Sequence, residues 1–260
     1  MAQPVLPVLG VLGRNGPGGY VGGGGSNMAA YLRRLTKPKQ MDLQYNLWIM
    51  WQLVVSPRTA YRHVAYHKQT KNQWARDDPA FLAICCVLQA VSAAAWCLAF
   101  SSSFLASIWL VASAVTVDFL GLGCVVATVG WYTANRYLKR RAPHKHAVDS
   151  SVEWLYAFDV HCNSWLPTNL ILSVLQLLLC PLLLRSGTLP VLLSLLLHGA
   201  AAGYYFWLTF LGYSTLPFLE RSRSIVWWPA VAFVGVAPVL LLTGVNLTKL
   251  STAWFFKGQV

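Results

Sequence analysis

From Pro79 onward the chain is a succession of long apolar runs separated by short polar joints; before Pro79 it is not. Runs at about 80–100, 105–131, 164–184, 188–211 and 225–247 are each long enough, at around 20 residues, for a helix to cross a hydrocarbon core of ~30 Å. Ser101-Ser102-Ser103 alone divides the first two, and no charged residue lies between Asp78 and Asp118. The pattern predicts an all-α integral membrane protein, with a five-helix transmembrane bundle over residues 79–260. Asp77 or Asp78 can cap the first span, with Pro79 in its first turn.

Residues 31–78 read as basic cytosolic or interfacial helices. The apolar stretch 41–55 would reach only about 22 Å as a helix. Asp42, Gln44, Asn46 and Gln52 also interrupt it, so it predicts an interfacial or protein-packed helix rather than a span. Ser56-Pro57 then opens a helix over about 57–74 that Arg58, Arg62, His63, Lys68 and Lys71 make basic. Such a helix suits a membrane surface. Residues 1–30, rich in Gly and Pro, predict a disordered tail, and the basic stretch from Arg33 to Lys39 suits anionic headgroups.

Composition agrees with the pattern. Of 260 residues 56% are hydrophobic and 11% charged, with mean hydropathy +0.50, against about 25% charged in soluble domains. The net charge of +12 is unevenly placed. Ten of the 20 Lys and Arg precede Asp77, five lie between Arg136 and Lys145, and Arg221 and Arg223 precede the last span. Only Arg185, Lys249 and Lys257 fall on the other side. The positive-inside rule then puts the N-terminus in the cytosol and the C-terminus in the lumen, which accounts for the charge before nucleic acid is invoked. The six cysteines form no CxxC pair, so neither a zinc site nor a disulfide framework is expected; free buried thiols are, with palmitoylation the alternative for Cys85 and Cys86 near a membrane boundary. No cleavable signal peptide is visible, so the first span should act as its own insertion signal. Trp227, Trp228 and Trp254-Phe255-Phe256 suit interfacial anchors, and the sequon Asn246-Leu247-Thr248 lies too near the bilayer for glycosylation.

Asp118 sits near the middle of the second span, where an unpaired carboxylate costs at least about 2.5–3.5 kcal/mol. It is either a site for a proton, cation or substrate, or a carboxyl hydrogen-bonded between helices; His198 is its expected partner. Gly199 and Gly203 form a GxxxG motif, expected to pack helices within the chain. Ser150-Ser151-Val152-Glu153 has the form of a capping box, opening a helix through Asn163. Glu153, Asp159, His161 and Asn163 would then lie where that helix meets the membrane. Asp159 and His161 point about 200° apart on a helix and cannot share a ligand, while His63 and His67 share a face but are only two. No hydrolase, metalloprotease, P-loop or dinucleotide fingerprint occurs. No catalytic residue, metal or cofactor is expected.

Three stretches carry a family resemblance: His67 to Phe81, with Gln73-Trp74-Ala75-Arg76-Asp77-Asp78-Pro79 at its centre; Glu153-Trp154-Leu155-Tyr156-Ala157-Phe158-Asp159-Val160-His161-Cys162-Asn163; and Tyr204 to Leu219. They resemble the Unc-fifty (uncoordinated-fifty) family of Golgi multi-span membrane proteins, from about Tyr31 to near the C-terminus. The resemblance implies a non-enzymatic protein of the Golgi membrane, with the inner nuclear membrane as a second location. It implies vesicular trafficking and cell-surface delivery of receptors of the nicotinic acetylcholine type, and docking of cytosolic factors such as Arf guanine-nucleotide exchange factors. Candidate docking residues are Lys68, Lys71, Trp74, Arg76, Asp77, Asp78, Glu153, Asp159, His161 and Asn163. Two alternatives stay open: a small-molecule, ion or lipid transporter using Asp118, and an RNA-binding membrane protein stacking bases on Tyr31, Tyr45, Trp48 and Tyr61.

Overall fold

Asp42 starts an N-terminal helix by accepting the Tyr45 N–H on its side chain, and this helix, α1, runs Leu43–Val55. The computed structural model describes Tyr31, Arg33, Arg34 and residues 41–71, 73–140 and 151–256, with the backbone alone at 67–71. The expected tail, most of the Arg33–Lys39 stretch, Arg141, Lys145, Ser150 and the side chains of His67, Lys68 and Lys71 lie outside the described residues. Asn46, Ile49, Met50 and Leu53 recur at helical spacing and bury one face of α1, while Leu47, Trp51 and Val55 leave an apolar face outward. Packed on one side and apolar on the other, α1 suits a membrane boundary. Pro57 begins α2, Pro57–Lys71, which ends three residues before the expected Trp74.

Among the described residues, five helices are long and apolar enough to cross a membrane: α3 (Ala80–Ala99), α4 (Phe104–Leu138), α5 (Trp154–Leu183), α6 (Thr188–Ser214) and α7 (Ser224–Thr243). The chain is a multi-pass membrane protein. A short α8, Leu247–Phe255, folds back over one end of the bundle. Three spans exceed their expected lengths, α6 by one turn and the other two by more. α4 continues to Leu138, and α5 begins ten residues early, so the polar stretch 154–163 is the start of the third span itself. That stretch stays helical because the bundle, not water, satisfies its polar groups: Asp159, His161 and Asn163 are all buried. Wide π-helical turns interrupt α4 at Ala114–Gly121 and Ala134–Leu138, and α5 at Leu170–Leu175.

α5 is the central helix. Tyr156, Phe158, Val160, Cys162 and Leu166 meet Leu53 of α1, Tyr61 of α2, Phe81 of α3, Phe119 of α4 and Leu208 of α6 in one core. Two glycines allow this approach: a Cβ on Gly123 would lie 2.8 Å from the His161 ring, and one on Gly212 would lie 2.8 Å from Val160 Cγ2. α7 is peripheral, with no buried residue, and rests on α6. At the end where α4 and α6 finish, Arg140 N–H donates to Phe218 O at 2.9 Å and Glu220 N–H to Leu138 O at 3.0 Å.

Three expectations need correction. Glu153 closes no capping box: it stands at the N-cap of α5 and its carboxylate is engaged by another segment. Gly203 does not pack: of the two glycines on this face only Gly199 meets a neighbour, Phe233 of α7, and a Cβ at Gly203 would have nothing within 4 Å. Phe256 is no interfacial anchor: it is buried, stacked on Phe100 and Trp96 at 4.8 and 6.4 Å. Trp227, Trp228 and Trp254 are exposed, as anchors should be.

Candidate functional site

The two motif stretches are each other's partners. Residues 73–78 form a strap across the first turns of α5. Glu153 accepts the Trp74 and Ala75 N–H groups at 3.3 and 3.1 Å, and Asp159 accepts the Arg76 N–H at 2.7 Å. The Arg76 side chain donates to Asn163 and lies 4.0 Å over the Phe81 ring. A carboxylate accepting backbone N–H groups forms charge-assisted bonds, stronger than neutral ones. Acids on α5 therefore hold an irregular segment whose own amides would otherwise lack partners.

Asp78 ties the strap to the helices on either side. Its Oδ2 accepts the Asp42 N–H and the Asn46 side-chain amide at 2.9 and 3.0 Å, while Oδ1 accepts the Ala80 N–H at 3.0 Å. One carboxylate thus fixes the start of α1 and of α3, although the N-cap position of α3 is held by Pro79 and not, as expected from sequence, by either acid, and the helix begins at Ala80. Asp77 is bonded by the Gln73 amide, and its carbonyl accepts Arg34 at 2.9 Å. Asn135 at the end of α4 clasps Val152, donating to its O at 3.1 Å and accepting its N–H at 2.9 Å. Tyr156 donates to Gly212 O at 2.7 Å. Among the described residues, every acid but Asp118 lies at this end, and Asp77, Asp78, Glu153 and Asp159 are spent on the joint.

Of the expected docking residues, the joint absorbs Arg76, Asp77, Asp78, Glu153, Asp159 and Asn163, and Trp74 packs near Tyr156 with ring centroids 6.2 Å apart. His161 stands apart from the strap. Its Nδ1 pairs with the Tyr205 hydroxyl at 2.8 Å, and its buried Nε2 has no hydrogen-bond partner. The hydroxyl of Tyr61 and Nη1 of Arg76 are likewise buried without partners. Burial pushes the phenols of Tyr31 and Tyr61 well above their ordinary range. Tyr31 and Tyr61 are thus closed to base stacking, while Tyr45 is exposed and Trp48 meets His63 edge-on at 4.8 Å.

At the opposite end of the bundle lies a cavity of about 250 Å³ among α3, α4, α5, α6 and α8. Asp118 and His198 both line it, so the expected pair does face one space. They are not bonded to each other. His198 Nδ1–H donates to Ser194 O at 2.8 Å, and Asp118 has no hydrogen bond or ion pair among the described residues. Gln89, Gln176, Ser173, Ser251 and Thr252 add to the polar lining, and Trp96, Phe255 and Phe256 supply aromatic walls.

Sequence reasoning missed how α8 closes this end. Asn246 is buried; its amide donates to Leu183 O at 2.7 Å, and its oxygen caps α8 by accepting the Thr248 and Lys249 N–H groups at 2.9 and 3.2 Å. Thr248 in turn meets Ser194 and Gln176 at 2.9 and 3.1 Å. The available signals were an Asn cap before a helix-length segment and glutamines inside apolar runs. Cys85 is buried too, and so is not placed for acylation.

The profile of the UNC-50 family matches residues 31–256. A protein unc-50 homolog of Dictyostelium discoideum is 42% identical over 231 residues, covering 88% of this chain and 88% of its own. The Danio rerio homolog is 38% identical over 240 residues, 91% and 90% of the two chains, and the Homo sapiens homolog 39% over 224 residues, 86% and 82%. No solved structure matches. The profile spans both halves of the joint, the cavity and α8, and the chain belongs to the UNC-50 family.

Proposed function

We propose that the chain is a non-enzymatic Golgi membrane protein whose basic face looks into the cytosol. There it docks trafficking factors, with Arf exchange factors as the partner class, and so supports delivery of receptors of the nicotinic acetylcholine type to the cell surface. The observation that carries this reading is the way polar architecture gathers at one end. The strap, α2, the last turn of α4 and the segments following α4 and α6 bring Arg58, Arg62, Arg76, Arg136, Lys139, Arg140, Arg221 and Arg223 to that end of the bundle. Among the described residues, the other end offers only tight turns and α8.

In this reading the joint is scaffold, and the surface it supports does the docking. Glu153, Asp159 and Asn163 hold the strap so that α2 presents its charges on a fixed base. Reversing Lys68 and Lys71 to Glu should abolish recruitment of Arf exchange factors to Golgi membranes while the protein still reaches the Golgi. Recruitment at the wild-type level by that variant would refute the docking reading. Arg76 is unsuited to the test because its side chain belongs to the joint.

A further inference from the structure

The cavity beside Asp118 has a chemistry of its own, separate from the basic face. Three of its polar groups present unused acceptor atoms, while the Ser251 and Thr252 hydroxyls in the same lining spend their protons on Thr248 O. Gln89 donates through Nε2 to Ala114 O at 3.3 Å, which fixes the amide's orientation, and its Oε1 is buried without a partner. His198 donates from Nδ1 to Ser194 O, so in the neutral ring Nε2 is a lone-pair site. Asp118 adds a carboxyl with no partner among the described residues. It sits in the π-helical stretch Ala114–Gly121, a wide turn of the kind that recurs at binding sites. Among the described residues, the lining holds no Lys or Arg.

That set discriminates among ligands. An anion would find no cation and would face Asp118. A bare metal ion needs around six oxygen ligands or a retained water shell, and most of this wall is apolar. A neutral apolar molecule would fill the space and leave Gln89 Oε1 and Asp118 without donors. An alkylammonium with a compact apolar body answers each group: N–H donors for Gln89 Oε1, Asp118 and His198, and aromatic faces of Trp96, Phe255 and Phe256 for the charge and the carbon frame. The volume suffices, since an apolar cavity of about 150 Å³ already admits benzene.

We propose that the UNC-50 bundle holds a binding site for a primary organic ammonium ion between α3, α4, α5, α6 and α8, with Asp118 as its counter-charge and Gln89 as its orienting acceptor. α8 forms one wall, so occupancy also couples to how firmly the Asn246–Thr248 contacts hold the bundle shut. The proposal does not depend on the docking reading.

The test uses the full chain in phosphatidylcholine nanodiscs with radiolabelled phenethylammonium, and empty nanodiscs as background. Saturable binding is expected, displaced by unlabelled amine and at least about tenfold less well by the neutral isostere 2-phenylethanol. Asp118→Asn should weaken binding at least about tenfold, and Gln89→Leu by a similar factor. Absence of saturable binding to the wild type, undiminished binding by folded Asp118→Asn, or equal competition by the alcohol would overturn the proposal. Should Asp118→Asn not fold, Gln89→Leu decides alone: retained affinity refutes the site and lost affinity supports it.

Discussion

Replacing Asp159 by Ala removes the acceptor that holds Arg76 in the strap. Asp159 is 6% exposed and its carboxylate takes the Arg76 N–H at 2.7 Å, a short charge-assisted bond. Such a bond contributes about 1.5–3 kcal/mol, and the orphaned amide would cost a further part of the same range. Because the two overlap, the expected cost is about 2–3 kcal/mol, or about a 30- to 150-fold rise in strap opening. The cost should stay local, since the apolar core around Tyr156, Val160 and Leu166 is untouched by the change. Hydrogen exchange of the chain in nanodiscs reads this directly, because amide protection reports the local opening free energy. Peptides covering 73–79 should exchange faster by that factor, while peptides within α6 and α7 keep their protection. Asp159→Asn, which retains an oxygen acceptor, should show a smaller effect. Unchanged exchange at 73–79, or loss of protection throughout the bundle, would refute the assignment of Asp159 to a local joint.

Other positions give sharper contrasts. Gly199→Ala would place a Cβ 2.4 Å from Phe233 and should loosen α7 from α6 by about 1–3 kcal/mol, whereas Gly203→Ala, with nothing within 4 Å, should be near neutral in thermal unfolding. Gly123→Ala sets a Cβ 2.8 Å from His161 and should cost a similar amount; a melting temperature equal to wild type would contradict the packing. Tyr156→Phe loses its bond to Gly212 O and should destabilise by about 1 kcal/mol in denaturant titration. Asn246 should carry no glycan, being buried and bonded to Leu183, so glycosidase treatment should leave the electrophoretic mobility unchanged.

The spans were legible because burial in lipid is written as continuous apolar runs: four of the five start within one residue of the expected position. α5 was the exception. Its polar residues Asp159, His161 and Asn163 read as a surface segment, yet they are buried by partners 83 residues away in the case of Asp159 and Arg76. Local pattern cannot report a pairing of that range. The same distance explains the capping box, where Glu153 matches the local signature but its oxygens go to Trp74 and Ala75. Asp118 and His198 stood out as polar residues in apolar runs, and both border the cavity, but whether they touched was undetermined by spacing. Gln89 escaped notice because an uncharged amide in a span costs little by composition alone. Its importance comes from Ala114 O fixing which atom is left free.

The docking reading rests on which compartment the basic end faces, and protease protection of doubly tagged protein in sealed Golgi vesicles tests this most directly. The account predicts digestion of a tag at the N-terminus and protection of a tag at the C-terminus until detergent is added. Protection of the N-terminal tag would contradict it, since Arg58, Arg62, Arg140, Arg221 and Arg223 would then face the lumen.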